Sequence, residues 1–214
     1  FLNGTQIASA DTTAGVFIRR AYDVTDLLKG NNKLEVKLRR AQKGDLNHGY
    51  VDWNPRPLDE SMGIVRPVTL HTTGALSIED VFVIPDLDTE HFETADLTVR
   101  ITLRNLEDRP VEGGLFLVLG GPDAMGHTQE KAIPVTLGAG ERREIVLTPA
   151  ELGILHIEKP YVWWTYDLGT PSLYKLEVEA VADGARSDKM KTTFGIRKIE
   201  SRLTADNYRQ FTLN

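Results

Sequence analysis

Cysteine is absent from the 214-residue chain. That excludes a disulfide framework, a thiolate zinc site and a cysteine nucleophile. No block of five or more Lys or Arg occurs, and 31 acidic residues outnumber 25 basic ones for a net charge of -6. A protein that tracks nucleic-acid phosphates needs the opposite balance, so no nucleic-acid partner is expected. Long apolar runs are missing as well. Val81 to Ile84 and Leu115 to Leu119 fall far short of the roughly 18 residues of a membrane helix, so no membrane partner is expected. Helical periodicity over three turns is lacking, and only Val24 to Gly30 carries a helix signature, with Thr25 or Asp26 as cap and Gly30 as stop. The five histidines (His48, His71, His91, His127 and His156) show no ligand spacing, so no metal is expected. Gly120-Gly121-Pro122 and Gly138-Ala139-Gly140 precede neither a Lys-Ser/Thr pair nor a helix, so they read as turns, and no cofactor is expected.

What is present is ordinary for a folded chain: 41% hydrophobic and 26% charged residues, with a mean hydropathy of -0.27. Period-two alternation dominates. Leu34, Val36 and Leu38 alternate with Lys33, Glu35, Lys37 and Arg39, and Leu97, Val99, Ile101 and Leu103 alternate with Thr98, Arg100 and Thr102. Further strands are expected at 16–20, 64–71, 78–84, 115–119, 133–137, 144–147, 174–181 and 192–198, separated by Gly-, Pro-, Asp- and Asn-rich turns. A composition break at 72–77 predicts two β units meeting at about residue 75. The opening Phe1-Leu2-Asn3-Gly4 places a hairpin signal after only two residues, which reads as a start inside a domain.

Several ordered motifs carry a resemblance. Phe1 to Gly4, then Tyr22 to Val36 (Tyr-Asp-Val-Thr-Asp-Leu-Leu-Lys-Gly-Asn-Asn-Lys-Leu-Glu-Val), Asp52-Trp53-Asn54-Pro55 and Met62 to Val68 resemble the sugar-binding domain of glycoside hydrolase family 2. Trp163 to Tyr174 and Phe194-Gly195-Ile196-Arg197 resemble the last strands of that family's immunoglobulin-like domain. The branch most similar is that of β-mannosidases and exo-β-glucosaminidases. The resemblance implies an all-β fold, a partial jelly-roll sandwich followed by an immunoglobulin-like β-sandwich. It implies residues 1–75 as the C-terminal part of a galactose-binding-like jelly roll, 76–198 as the immunoglobulin-like unit, and 199–214 as a linker toward an absent catalytic barrel.

The family's acid/base is the Glu of an Asn-Glu pair. Here the eight Asn residues precede Gly, Asn, Lys, His, Pro, Leu, Tyr and the chain end, so no catalytic residue is expected. The candidate substrate-binding residues are Asp52, Trp53 and Asn54. A carboxylate accepts sugar hydroxyl hydrogen bonds, an indole face packs on a pyranose, and the stretch 49–61 with Pro55 and Pro57 reads as a loop. The resemblance implies that this loop lines the terminal sugar subsite; the alternative is that Trp53 plugs the sandwich edge and Asp52 caps a turn. The Trp163-Trp164 pair reads as packing. Arg66 and Arg197, beside apolar neighbours, read as structural ion-pair partners.

The expected function is that of a non-catalytic β-sandwich region of an exo-acting family 2 glycosidase in carbohydrate degradation, inactive by itself. Its partners would be a β-linked saccharide and the catalytic barrel. The alternatives are a stand-alone carbohydrate-binding or structural module, and a parent of β-galactosidase or β-glucuronidase type. Unpaired edges of a truncated jelly roll predict self-association through the N-terminal unit or partial disorder there. No residue fixes the compartment, although a periplasmic or extracellular setting suits polysaccharide breakdown.

Overall fold

A computed structural model describes residues 1–14, 18–40, 53, 62–64, 66–123, 126–128 (backbone only) and 133–214. The chain divides into two compact units, Phe1–Thr69 and Leu70–Asn214.

In the second unit alternation becomes a sandwich. Its strands are β1 (Leu76–Leu87), β2 (Thr94–Asn105), β3 (Val111–Gly120), β4 (Gly126–Thr128), β5 (Ile133–Leu137), β6 (Arg142–Leu147), β7 (His156–Glu158), β8 (Tyr174–Ala182) and β9 (Ala185–Phe194). One sheet runs β1-β2-β6 with β7 also on β2; the other runs β4-β3-β8-β9 with β5 also on β3. The chain crosses between sheets after β2, β5 and β7, the Greek-key wiring of an immunoglobulin-like sandwich. Each inner face supplies every second residue: Leu97, Val99, Ile101 and Leu103 from β2, Leu115, Leu117 and Leu119 from β3, and Tyr174, Leu176 and Val178 from β8. β1 keeps both Ile78 and Val81 inward because a bulge at Glu79 resets its phase.

Two polar devices hold this core. Asn105 is fully buried; its side-chain nitrogen donates to the Arg109 and Gly138 carbonyls at 2.7 and 2.8 Å, and its oxygen accepts the Glu107 N–H at 2.9 Å. The β8–β9 register skips Ser187, and there β9 reaches across to β1. The Ser187 hydroxyl accepts the Leu76 N–H at 2.7 Å and donates to the Leu76 carbonyl at 2.8 Å, while Asp188 Oδ2 accepts the Ile78 N–H at 2.6 Å. These side chains stand where a neighbouring strand would bond, which covers part of the edge of a twelve-residue strand. Asp183-Gly184, both at positive φ, form the tight turn between β8 and β9.

A separate two-stranded sheet follows, β10 (Ile199–Leu203) paired with β11 (Arg209–Leu213). Its turn bonds Asn207 N–H to the Thr204 carbonyl at 2.9 Å, with Asn207 in the left-handed region.

The first unit is built differently. Asn3-Gly4 makes the expected tight turn, with both φ positive and reciprocal Leu2–Thr5 backbone bonds. Asn3 then ties this turn to the following segment, donating to the Leu27 carbonyl and Asn32 Oδ1 and accepting the Lys33 N–H, all at 2.8 Å. The expected helical turn appears as a short 3-10 helix, Thr25–Leu27, and an unforeseen helix spans Ala10–Thr13. The strands expected at 33–39 and 64–71 do not form among the described residues. Leu34 makes one isolated bridge, to Leu2, and Leu34, Val36 and Leu38 remain about half exposed. Phe1–Asn3 bonds to Lys33 and Glu35 on either side of that bridge, but alternation alone buries neither face: an apolar face is covered only where a second layer packs on it.

Candidate functional site

Of the three sugar-binding candidates, Asp52 and Asn54 lie outside the described residues. Trp53 is described and is 86% exposed.

The Trp163-Trp164 pair behaves as packing. Trp163 N–H donates to the Ile196 carbonyl at 2.8 Å, the Arg197 guanidinium lies 4.4 Å from its ring centroid, and a Cβ placed on Gly195 would stand 2.8 Å from the indole. Glycine at 195 is therefore what lets this ring seat. Trp164 meets Phe92 in a tilted contact, centroids 6.1 Å apart. Arg197 was expected in a strand, paired with a carboxylate. Instead it lies outside any strand and its contact is an indole face, because Ile196 points inward and carries its neighbour outward beside Trp163. Arg66 is exposed and lies in no strand.

Sequence reasoning missed the cleft of about 460 Å³ that His71–Gly74 form with Arg186–Lys189 and Lys191. Asp188, its side chain 1% exposed, lies at its base, and His71 Nε2 is 2.7 Å from Asp188 Oδ1. Asp188 is also engaged with backbone, accepting the Lys189 N–H at 2.6 Å beside the Ile78 contact described above. Arg186-Ser187-Asp188-Lys189 reads locally as a turn, and only the Asp183-Gly184 pair hints that a strand begins at 185. A second cleft of about 260 Å³ has Leu119, Ile157 and Tyr174 among its lining. There the Tyr174 hydroxyl accepts the Tyr161 N–H at 2.8 Å, and burial pushes its phenol pKa up, which keeps it a neutral hydrogen-bonding group.

The electrostatics show what these sandwich groups are fitted for. A general acid in glycoside hydrolysis needs a carboxyl whose pKa is raised. Five described carboxyls move down instead. Glu141 is lowered first by the Gly138 N–H and then by Arg143; Glu177 by Lys189 and then Lys191; Glu151 by the Thr148 hydroxyl; Asp167 by the Thr165 hydroxyl; and Asp88 by the Glu90 N–H. These groups are set as ionised turn caps and surface pairs. Among the described residues no group of three or more His, Asp or Glu side chains converges as a metal site. No helix among them is long and apolar enough to cross a membrane.

Residues 76–197 match the sequence profile of Glycosyl hydrolases family 2, which is more than half the chain. The chain belongs to that family. Its curated relatives include an exo-beta-D-glucosaminidase of Streptomyces avermitilis, 34% identical over all of this chain and 23% of its own length. One of Hypocrea jecorina is 35% identical at the same coverages. Among solved structures, the exo-chitosanase CsxA of Amycolatopsis orientalis superposes with a TM-score of 0.75 at 28% identity, over 100% of this chain and 24% of that one. The chain thus spans less than a quarter of the length of the relatives it matches.

Proposed function

We propose that this chain is the non-catalytic β-sandwich region of an exo-acting family 2 β-glucosaminidase that degrades carbohydrate, with bond cleavage carried out by polypeptide outside these residues. The observation that carries the reading is coverage. Exo-β-glucosaminidase relatives align along 100% of the chain at 34% and 35% identity.

Residues 1–75 act in this reading as the jelly-roll portion, 76–198 as the immunoglobulin-like support and 199–214 as the connection to the catalytic barrel. Asp52, Trp53 and Asn54 contribute to the terminal sugar subsite, with Asp52 accepting hydroxyl hydrogen bonds and Trp53 stacking on the sugar ring. A saccharide bound by this half-pocket alone is held weakly, because most of its recognition surface is elsewhere. The test is turnover of an aryl β-glucosaminide by the 214-residue chain and by the full-length polypeptide of its source gene. The expected result is hydrolysis by the long form only. Turnover by the chain alone, or a long form that cleaves aryl β-galactosides and not β-glucosaminides, would overturn the reading.

A further inference from the structure

The smaller cleft of the sandwich, about 260 Å³, joins an apolar floor to a polar rim. Leu119 of β3, Ile157 of β7 and Tyr174 of β8 supply the floor, so both sheets contribute to it. Its rim follows from a corner in the chain. Lys159 is held in the left-handed region at φ 48°, uncommon for a residue other than glycine, and donates its N–H to the Glu93 carbonyl at 2.7 Å. That corner ends β7 and brings Tyr161 onto the rim.

Tyr161 is fastened twice. Its N–H donates to the hydroxyl of the buried Tyr174 at 2.8 Å, and its own hydroxyl donates to Asp123 Oδ2 at 3.3 Å, while the residue as a whole stays 49% exposed. An aromatic ring held at backbone and tip yet open to water is a preset surface. Asp123 and Glu158 place two carboxylates on the rim against the single ammonium of Lys159. A carboxylate offers about four lone-pair directions, so Asp123 can serve Tyr161 and a ligand together. A pyranose matches this division, with C–H groups on its faces and hydroxyls around its edge. The volume, just below the usual lower bound of about 300 Å³ for small-molecule pockets, fits a ligand of one ring. The excess of carboxylates favours a ring bearing an ammonium, whose N–H groups make charge-assisted bonds to them, and disfavours a phosphate or a sugar acid.

We propose that this cleft is a saccharide-binding site for one amine-bearing pyranose of a β-linked glucosamine chain, with Tyr161 as the stacking surface and Asp123 and Glu158 as acceptors. The identity of the sugar rests on the reading given under Proposed function; the cleft adds a saccharide contact on the sandwich itself.

The test is titration of the 214-residue chain with the β-1,4-linked trimer of glucosamine, at a pH where its amines are protonated, and with the N-acetylated trimer, followed through amide shifts in nuclear magnetic resonance. The proposal expects saturable shifts in 119–123, 157–161 and 174, with the amine trimer bound at least fivefold more tightly than the acetylated one. Tyr161→Ala should weaken binding at least tenfold. Asp123→Asn and Glu158→Gln, changes on the open rim that leave the Tyr161–Tyr174 bond in place, should each reduce the preference for the amine. Trp53→Ala should leave the shifts in these segments as they are. Absence of shifts there overturns the proposal, as does equal affinity for both trimers or a preference that both rim variants retain. Shifts that vanish in Trp53→Ala also overturn it, since they would assign the binding to the other unit. Aryl β-glucosaminide turnover by the full-length polypeptide is read separately: shifts without turnover keep the site and remove the enzymatic reading, and turnover without shifts does the reverse.

Discussion

The two units use the same sequence device to different effect. In β2, Leu97, Val99, Ile101 and Leu103 alternate with polar residues and every one is fully buried; in the first unit Leu34, Val36 and Leu38 alternate just as regularly and stand about half exposed. Propensity and pattern do not separate them. Partners do: β2 has β1 along one edge and β6 and β7 along the other, with a second sheet over its apolar face, whereas Leu34 meets one residue of a tight turn. Alternation specifies which face would be buried, and burial itself depends on a second surface.

The largest expected effect follows from that contrast. Leu97→Ala or Leu117→Ala should lower the unfolding free energy of the second unit by about 2–5 kcal/mol, since each removes a fully packed side chain. Leu34→Ala or Val36→Ala should stay within about 0.5 kcal/mol. Denaturant melts of the four variants decide the matter, and comparable losses in both units would erase the distinction. Next is Asn105→Ala, which leaves buried carbonyls and the Glu107 N–H without partners and should cost about 1–3 kcal/mol, with faster exchange of the Glu107 amide.

This contrast also explains what the sequence could tell. The β2, β5 and β8 segments were legible because their alternation is unbroken; β1 was legible in spite of its bulge, because Ile78 and Val81 bracket a single extra residue. The start of β9 was hidden, because the residues that join it to β1, Ser187 and Asp188, are polar and read as a turn. Arg197 was misread as an ion-pair partner since its contact, Trp163, lies 34 positions away in sequence. For the candidate site, the residue types of Asp52 and Trp53 were legible and their chemistry argued from them; their joint geometry depends on segments beyond local pattern.

A smaller effect is expected at the indole seat. Gly195→Ala places a methyl 2.8 Å from Trp163 and should cost about 1–3 kcal/mol while shifting the tryptophan emission as the ring is displaced from Arg197. Unchanged emission would show that the seat is loose. The smallest is electrostatic. Lys189 and Lys191 hold the Glu177 carboxyl below the usual range, so its contribution is fully present above the unfolded value and is lost as pH falls through the lower folded one. Glu177→Gln should therefore remove part of the acid sensitivity of the second unit and leave its stability at pH 7 within about 1 kcal/mol. A full acid response in that variant would assign the sensitivity to other carboxyls.

The central claim is that the loop at Trp53 serves a sugar subsite while the sandwich serves support. Its most direct test compares two equally exposed aromatic residues, Trp53 at 86% and Tyr166 at 90%, one from each unit. In the full-length polypeptide, Trp53→Ala should lower kcat/KM for a β-glucosaminide by about tenfold or more, the equivalent of roughly 1.4 kcal/mol of lost transition-state stabilisation, and Tyr166→Ala should leave it unchanged. Equal effects, or an unaltered Trp53→Ala enzyme, would contradict the account.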